Sequence, residues 1–231
     1  MKIKILLYKS FLILLLFSFK EIQANEEDKL ETIQILQSSE LALKKLISNE
    51  DIINLKKFLK NSKAILIFRE VYEGGLVFGA KGGNGLLIIK RNDDKFSGPF
   101  FFSLGGVSIG LQVGAKSGKV VMMVMTNRGL KSILKERVKL GVDLDAAFIS
   151  QGVGYSAEST ARLADVYSFS DNSGLFLGGS LEGTYLQPRN DLNGAFHNKE
   201  FDTDDILKDP NISKDIDNLR DIINRIDDRS N

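Results

Sequence analysis

The chain has 231 residues, 31 Lys and Arg against 30 Asp and Glu, 43% hydrophobic residues, one histidine and no cysteine. This near-neutral balance excludes bulk nucleic-acid binding, which needs a strongly basic surface to displace counterions from phosphates. Without cysteine and with His197 alone, disulfide scaffolds, His/Cys zinc sites and Cys-His nucleophile pairs are excluded too, so the fold must hold through its core.

Residues 1–24 place Lys2, Lys4 and Lys9 ahead of the apolar run Phe11 to Phe17, with small Ala24 before a polar stretch. That is the order of a secretory signal peptide cleaved after Ala24, with an uncleaved N-terminal anchor as the alternative, and the apolar run is much shorter than the ~18–20 residues of a spanning helix. The expectation is an exported protein of the periplasm, envelope or exterior. Loss of that segment leaves 27 basic and 29 acidic residues. The remaining chain divides into a helical region over 25–54, a main domain over 55–198, and a tail over 199–231 with an excess of acidic residues.

From Asp28 to Leu59 the apolar residues recur at helical spacing and predict two helices broken near Ser48-Asn49. Lys44, Lys45, Lys56, Lys57, Lys60 and Lys63 lie on their polar faces. Such a basic amphipathic surface can rest on an anionic membrane with Leu55, Phe58 and Leu59 in the interface; it can equally dock its apolar side on the domain.

Beyond Lys63 the texture changes to short apolar runs separated by glycine, which predicts strands. Gly82-Gly83-Asn84-Gly85 predicts a hairpin turn between two of them. The stretch FSGPFFFSLGGVSIGLQVGAK at 96–116 fails the spacing of a phosphate loop, because Ala115 precedes Lys116 and only three residues separate Gly110 from Gly114. As a strand it sorts Val107, Ile109, Leu111, Val113 and Ala115 onto one face and small or polar residues onto the other. Residues 126–139 predict a short inserted helix with Leu130, Ile133 and Leu134 inward, made basic by Arg128, Lys131, Lys135, Arg137 and Lys139. Ile212, Ile216, Leu219, Ile223 and Ile226 predict a terminal amphipathic helix, docked on its own domain or on a second copy. The fold class that follows is α+β: a curved, mainly antiparallel sheet or partial barrel, with N-terminal helices, one inserted helix and a C-terminal amphipathic helix.

No catalytic constellation is expected. Ser132 and Lys135, Ser170-Asp171-Asn172 and Lys116-Ser117-Gly118 imitate penicillin-binding elements, but the lysine-glycine element comes first here, where those enzymes place it last. Asp202, Asp204 and Asp205 lack calcium-loop spacing, and no metal or cofactor is expected. Asp143, Glu158 and Glu182 sit among apolar or small residues, where a charge needs partners; backbone hydrogen bonds are the expected ones.

The series at 96–115, LGVD at 140–143, GVGYSAEST at 152–160 and YSFSDNSGLFLGGSLEGTYL at 167–186 resembles the SYLF family, also called the Ysc84-like actin-binding domain. The similarity runs from about Leu55 to Phe196. Ser97, Gly98, Pro99, Gly105, Gly106, Ser108, Gly110, Gln112 and Gly114 match its first signature. Gly141, Asp143, Glu158, Tyr167, Ser168, Gly174, Phe176, Gly178, Ser180, Glu182 and Gly183 match the later ones, all as framework positions. Phe96 stands where the family commonly has tryptophan and Val153 where it often has proline, and Phe196-His197 lies near an expected paired tyrosine. The resemblance implies a non-catalytic module that binds anionic phospholipid at a membrane surface, with a protein partner such as actin as the alternative. It favours the N-terminal amphipathic region for membrane contact; Arg128, Lys131 and Lys135 form a second candidate patch.

Overall fold

The computed structural model describes residues 2–48, 55–75, 78–91, 96–109, 114–135, 137–149, 164–170, 184–201, 206 and 215–228. Helix α1 (Lys2–Ile47) and helix α2 (Leu55–Asn61) precede four long strands, β1 (Ala64–Gly75), β2 (Phe78–Lys90), β3 (Phe96–Ile109) and β4 (Gly114–Val124). Helix α3 (Asn127–Ile133) follows, then β5 (Val138–Lys139), β6 (Ala146–Ile149), β7 (Val166–Ser170), β8 (Tyr185–Pro188), helix α4 (Asn190–His197) and helix α5 (Asp217–Asp228). The helix break expected near Ser48-Asn49 is present, and α1 begins well before Asp28 and passes unbroken through Ala24.

The strands form one sheet in the order β5-β8-β3-β2-β1-β4-β7-β6, antiparallel at every junction except β6 with β7. Its two edge strands are consecutive in sequence, joined by residues 140–145, where Leu140 donates its N–H to the Thr184 carbonyl and Gly141 to Leu144. A connection that short between opposite edges requires the sheet to curl. The expected curved sheet is therefore a partial barrel.

Both faces are buried. Outside, Ile65, Ile67, Leu86, Ile88, Phe101, Val121 and Met123 pack against Leu43 and Leu46 of α1, Leu59 of α2, Leu192 and Phe196 of α4, and Leu219 and Ile223 of α5. Inside, Leu66, Phe68, Leu87, Phe100, Phe102 and Met122 pack with Ile133 and Leu134 of α3. Phe201 and Ile206 join this inner cluster, and Arg91 donates to the Ile206 carbonyl at 2.9 Å. The tail thus contributes to both cores, and α5 docks on its own domain through Ile216, Leu219 and Ile223. Ile212 lies outside the described residues.

Three expectations are corrected. The glycines at 82–85 do not turn the chain: they lie inside β2, and the β1–β2 hairpin closes between Gly75 and Phe78. Their cause is non-local. β1 carries one extra residue around Arg69-Glu70 against both neighbours, and this bulge drives the Glu70 carbonyl to where a Gly83 side chain would begin. Likewise the Phe68 ring occupies the side-chain position of Gly85. The stretch 96–116 is also two strands rather than one, with β3 ending at Ile109 and β4 starting at Gly114. The inserted helix stops at Ile133, and Val138-Lys139 leave it to pair with β8.

Candidate membrane and partner surfaces

Period 3.6 divides α1 into a docked face and a free one. Ile35, Leu36, Ala42, Leu43 and Leu46 are buried, whereas Leu30, Ile33 and Leu41 remain 61%, 46% and 66% exposed along the opposite stripe. Gln34 and Gln37 lie between them, and exposed Lys44 and Lys45 close the stripe at the helix C-terminus, where positive charge also complements the helix dipole. Among the described residues, no helix is long and apolar enough to cross a membrane.

Lys60 and Lys63 are exposed where α2 joins β1. Lys90 reaches the same corner: its ammonium donates to the Lys60 carbonyl at 3.0 Å, capping the end of α2. Lys56 and Lys57 belong to α2, but their side chains lie outside the described residues, as does that of Leu55. The apolar anchors expected on α2 are corrected. Leu59 is fully buried, and half-buried Phe58 stacks on Tyr167 with ring centroids 4.3 Å apart. Phe58 and Leu59 are thus committed to the core and are not free to enter a bilayer.

The second basic group separates in the structure. Arg128 is held by Asp145 at 2.9 Å and by buried Asp165, with both partners raising its pKa. Asp165 also accepts from the Thr126 hydroxyl, which caps α3 by accepting the Gly129 N–H at 2.9 Å. Arg128 therefore fastens the start of α3 to β6 and β7. Lys131 and Lys135 are exposed on α3. Because α3 packs with the inner cluster and α1 with the outer one, the two nominated basic groups belong to opposite sides of the sheet.

Asp143 is corrected in environment but not in partner: it is exposed, and it accepts the Lys139 N–H at 2.7 Å in the turn between the edge strands. Glu158, Glu182, Gly110, Gln112, Gly174, Phe176, Gly178, Ser180 and Gly183 lie outside the described residues. Ser97, Tyr167 and Ser168 are buried in strands, and Ser97 accepts from Arg91 at 2.9 Å. Gly98 has φ +133° before cis-Pro99, which glycine alone adopts readily, and Gly106 backs against Thr184. At these positions the backbone and side chains are taken up by packing within the sheet.

Sequence reasoning missed two buried polar features. Glu73 and Lys81 face each other inside the barrel at 3.9 Å, both almost wholly buried. Asn193 accepts the Phe101 N–H at 2.7 Å and donates to the Phe101 carbonyl at 3.1 Å, standing in for a strand where β8 ends. The bulge that turns Glu73 inward and the fold that brings residue 193 to residue 101 leave no local signature.

The geometry defines a class before it defines a family: a helix-clad partial barrel whose carboxylates, hydroxyls and amide serve structure, with exposed apolar and basic surfaces. The profile of the Ysc84 family, described as "Las17-binding protein actin regulator", matches residues 105–226, and the chain belongs to that family, the SYLF family. It is 28% identical over 144 residues to the human SH3 domain-containing YSC84-like protein 1, covering 62% of this chain and 42% of that protein. It is 28% identical over 146 residues to LAS seventeen-binding protein 3 of Saccharomyces cerevisiae, covering 60% and 31%. An SH3 domain-containing protein of Schizosaccharomyces pombe is 29% identical over 145 residues, covering 60% and 33%. The matched region thus spans between 31% and 42% of the length of these relatives.

Proposed function

We propose that this protein is a non-catalytic interaction module that rests on an anionic membrane surface through α1. The observation that carries the reading is the exposed stripe of Leu30, Ile33 and Leu41 ending in Lys44 and Lys45, on a helix whose other face is fully used by the core. An apolar stripe with adjoining lysines suits the boundary between headgroups and acyl chains. Near an anionic surface each lysine contributes about 1 kcal/mol, so Lys44, Lys45, Lys60 and Lys63 together contribute roughly 4 kcal/mol at low salt. That is comparable to what three half-inserted apolar side chains supply. Export by cleavage after Ala24 belongs to the same proposal, and N-terminal sequencing of the protein recovered from its producing cell checks it.

Co-sedimentation with phosphatidylcholine vesicles, with and without phosphatidylserine, tests the membrane reading. Binding is expected to the anionic vesicles only and to fall steeply as salt shortens the Debye length. Charge reversal at Lys44, Lys45, Lys60 and Lys63 should abolish it, and undiminished binding by that variant removes the surface from the account.

A second reading, binding to an actin-regulatory protein or to actin, is favoured by the family description. Deletion of residues 211–231 would test it poorly, because Leu219 and Ile223 belong to the core. Charge reversal at exposed Asp217 and Asp221 leaves the buried face of α5 intact. Loss of actin co-sedimentation in that variant, with vesicle binding retained, would place the partner on α5.

A further inference from the structure

The outer face of the sheet continues beyond the helices that cover it. At one level of the register Tyr72 of β1 pairs with Gly82 of β2, Gly82 with Gly105 of β3, and Gly105 with Tyr185 of β8. All four positions belong to the outer side, since Leu86 and Phe101, an even number of residues away on β2 and β3, face the outer cluster and Leu186, next to Tyr185, faces the inner one. Tyr72 is 58% exposed, and Val107, two residues beyond Gly105 on the same side, is 81% exposed.

Gly83, Gly85 and Gly106 each have a structural reason to lack a side chain, because protein atoms fill the place it would take. Gly105 has none: a Cβ there would meet nothing within 4 Å, and its φ lies outside the region that favours glycine. A β-branched residue would suit such a strand position better. The floor is bordered by two rings. Tyr72 stands on β1, and Tyr185 carries the Arg137 guanidinium 3.7 Å above its centroid, with the Lys139 ammonium at 5.6 Å. Neither cation has a carboxylate partner among the described residues.

We propose that this face, with Tyr72 and Tyr185 as borders, Gly82 and Gly105 as floor and Arg137 and Lys139 at one end, docks an extended acidic peptide segment of a partner protein. Three strand spacings of ~4.8 Å separate the tyrosines by about 14 Å, the span of four or five residues of extended chain at ~3.1 Å each. A glycine floor lets a peptide backbone approach closely, whereas it offers a bilayer no apolar side chain to bury. The two cations, without a carboxylate partner among the described residues, favour an acidic residue, and a guanidinium backed by an aromatic ring is well placed to hold a carboxylate. The proposal does not depend on the membrane reading.

Fluorescence anisotropy of the full chain with a labelled (Pro-Glu)5 peptide, an extended acidic probe, and its (Pro-Lys)5 counterpart tests the proposal. Saturable binding of the acidic probe alone is expected, weakened at least tenfold by Gly105→Val and by Arg137→Glu with Lys139→Glu. The unfolding midpoint of Gly105→Val should be unchanged or raised, which separates an occupied floor from a damaged fold. Equal binding of both probes, no binding of either, or unchanged binding by the variants would overturn it. So would a Gly105→Val variant that loses phosphatidylserine vesicles and no peptide, since the face would then be a membrane contact.

Discussion

At Asn193 a single amide substitutes for a missing strand. β8 pairs with β3 only as far as Phe102; at Phe101 the carbonyl also accepts the Arg189 N–H at 2.9 Å, but the buried N–H has Asn193 as its acceptor. Asn193→Ala leaves the Phe101 N–H without this acceptor and should cost about 2 kcal/mol, read as a lower urea midpoint with unchanged slope. The neighbouring junction of α1 with α4 carries opposed titrations. Burial, then the proximity of Asp191, raises the pKa of Asp28, while a hydrogen bond from Arg189 lowers that of Asp191. A raised carboxyl pKa means that ionised Asp28 weakens the fold as pH climbs above ~4, and a lowered one means that Asp191 supports the fold above ~4 and loses that support as pH falls below it. Asp28→Asn should therefore raise the thermal midpoint at pH 7 and leave it unchanged near pH 3. Arg189→Ala should lower it at pH 7, and the two pH series together check the signs.

Among the elements, the strands show how much of the fold was legible. Short apolar runs located the strand region, because strands buried on both faces read as continuous apolar segments such as Ala64 to Phe68 and Val120 to Val124, but they did not mark where β2, β3 and β4 begin and end. Punctuation misled at Gly82 to Gly85, since glycine marks a close approach as readily as a turn, and the approaching group is a bulge in another strand. Gly83→Ala should accordingly cost about 2 to 3 kcal/mol by forcing the bulge out of place, although it replaces glycine in a strand. Thermal unfolding of the variant checks this. For the candidate surface, lysine patterning was legible but its use was not: Arg128 is spent on Asp145 and Asp165, and the apolar partners of Lys60 are in the core. The exposed residues Leu30, Ile33 and Leu41 carried the same helical period as their buried neighbours. Only the docking of α1 on the sheet shows which side is free.

For the whole molecule, the sheet acts as a partition. Helices α1, α2, α4 and α5 cover one side, while α3 and the segment at Phe201 and Ile206 close the other. Membrane attachment through α1 thereby leaves the α3 lysines Lys131 and Lys135 on the other side of the sheet. The most direct test of this arrangement is co-sedimentation of a Leu30→Glu, Leu41→Glu variant with phosphatidylserine-containing vesicles at low salt, beside the unmodified protein. Both positions are exposed, so the variant should unfold at the same temperature and lose most of its vesicle binding. Binding equal to that of the unmodified protein would contradict the claim that α1 is the face turned to the membrane.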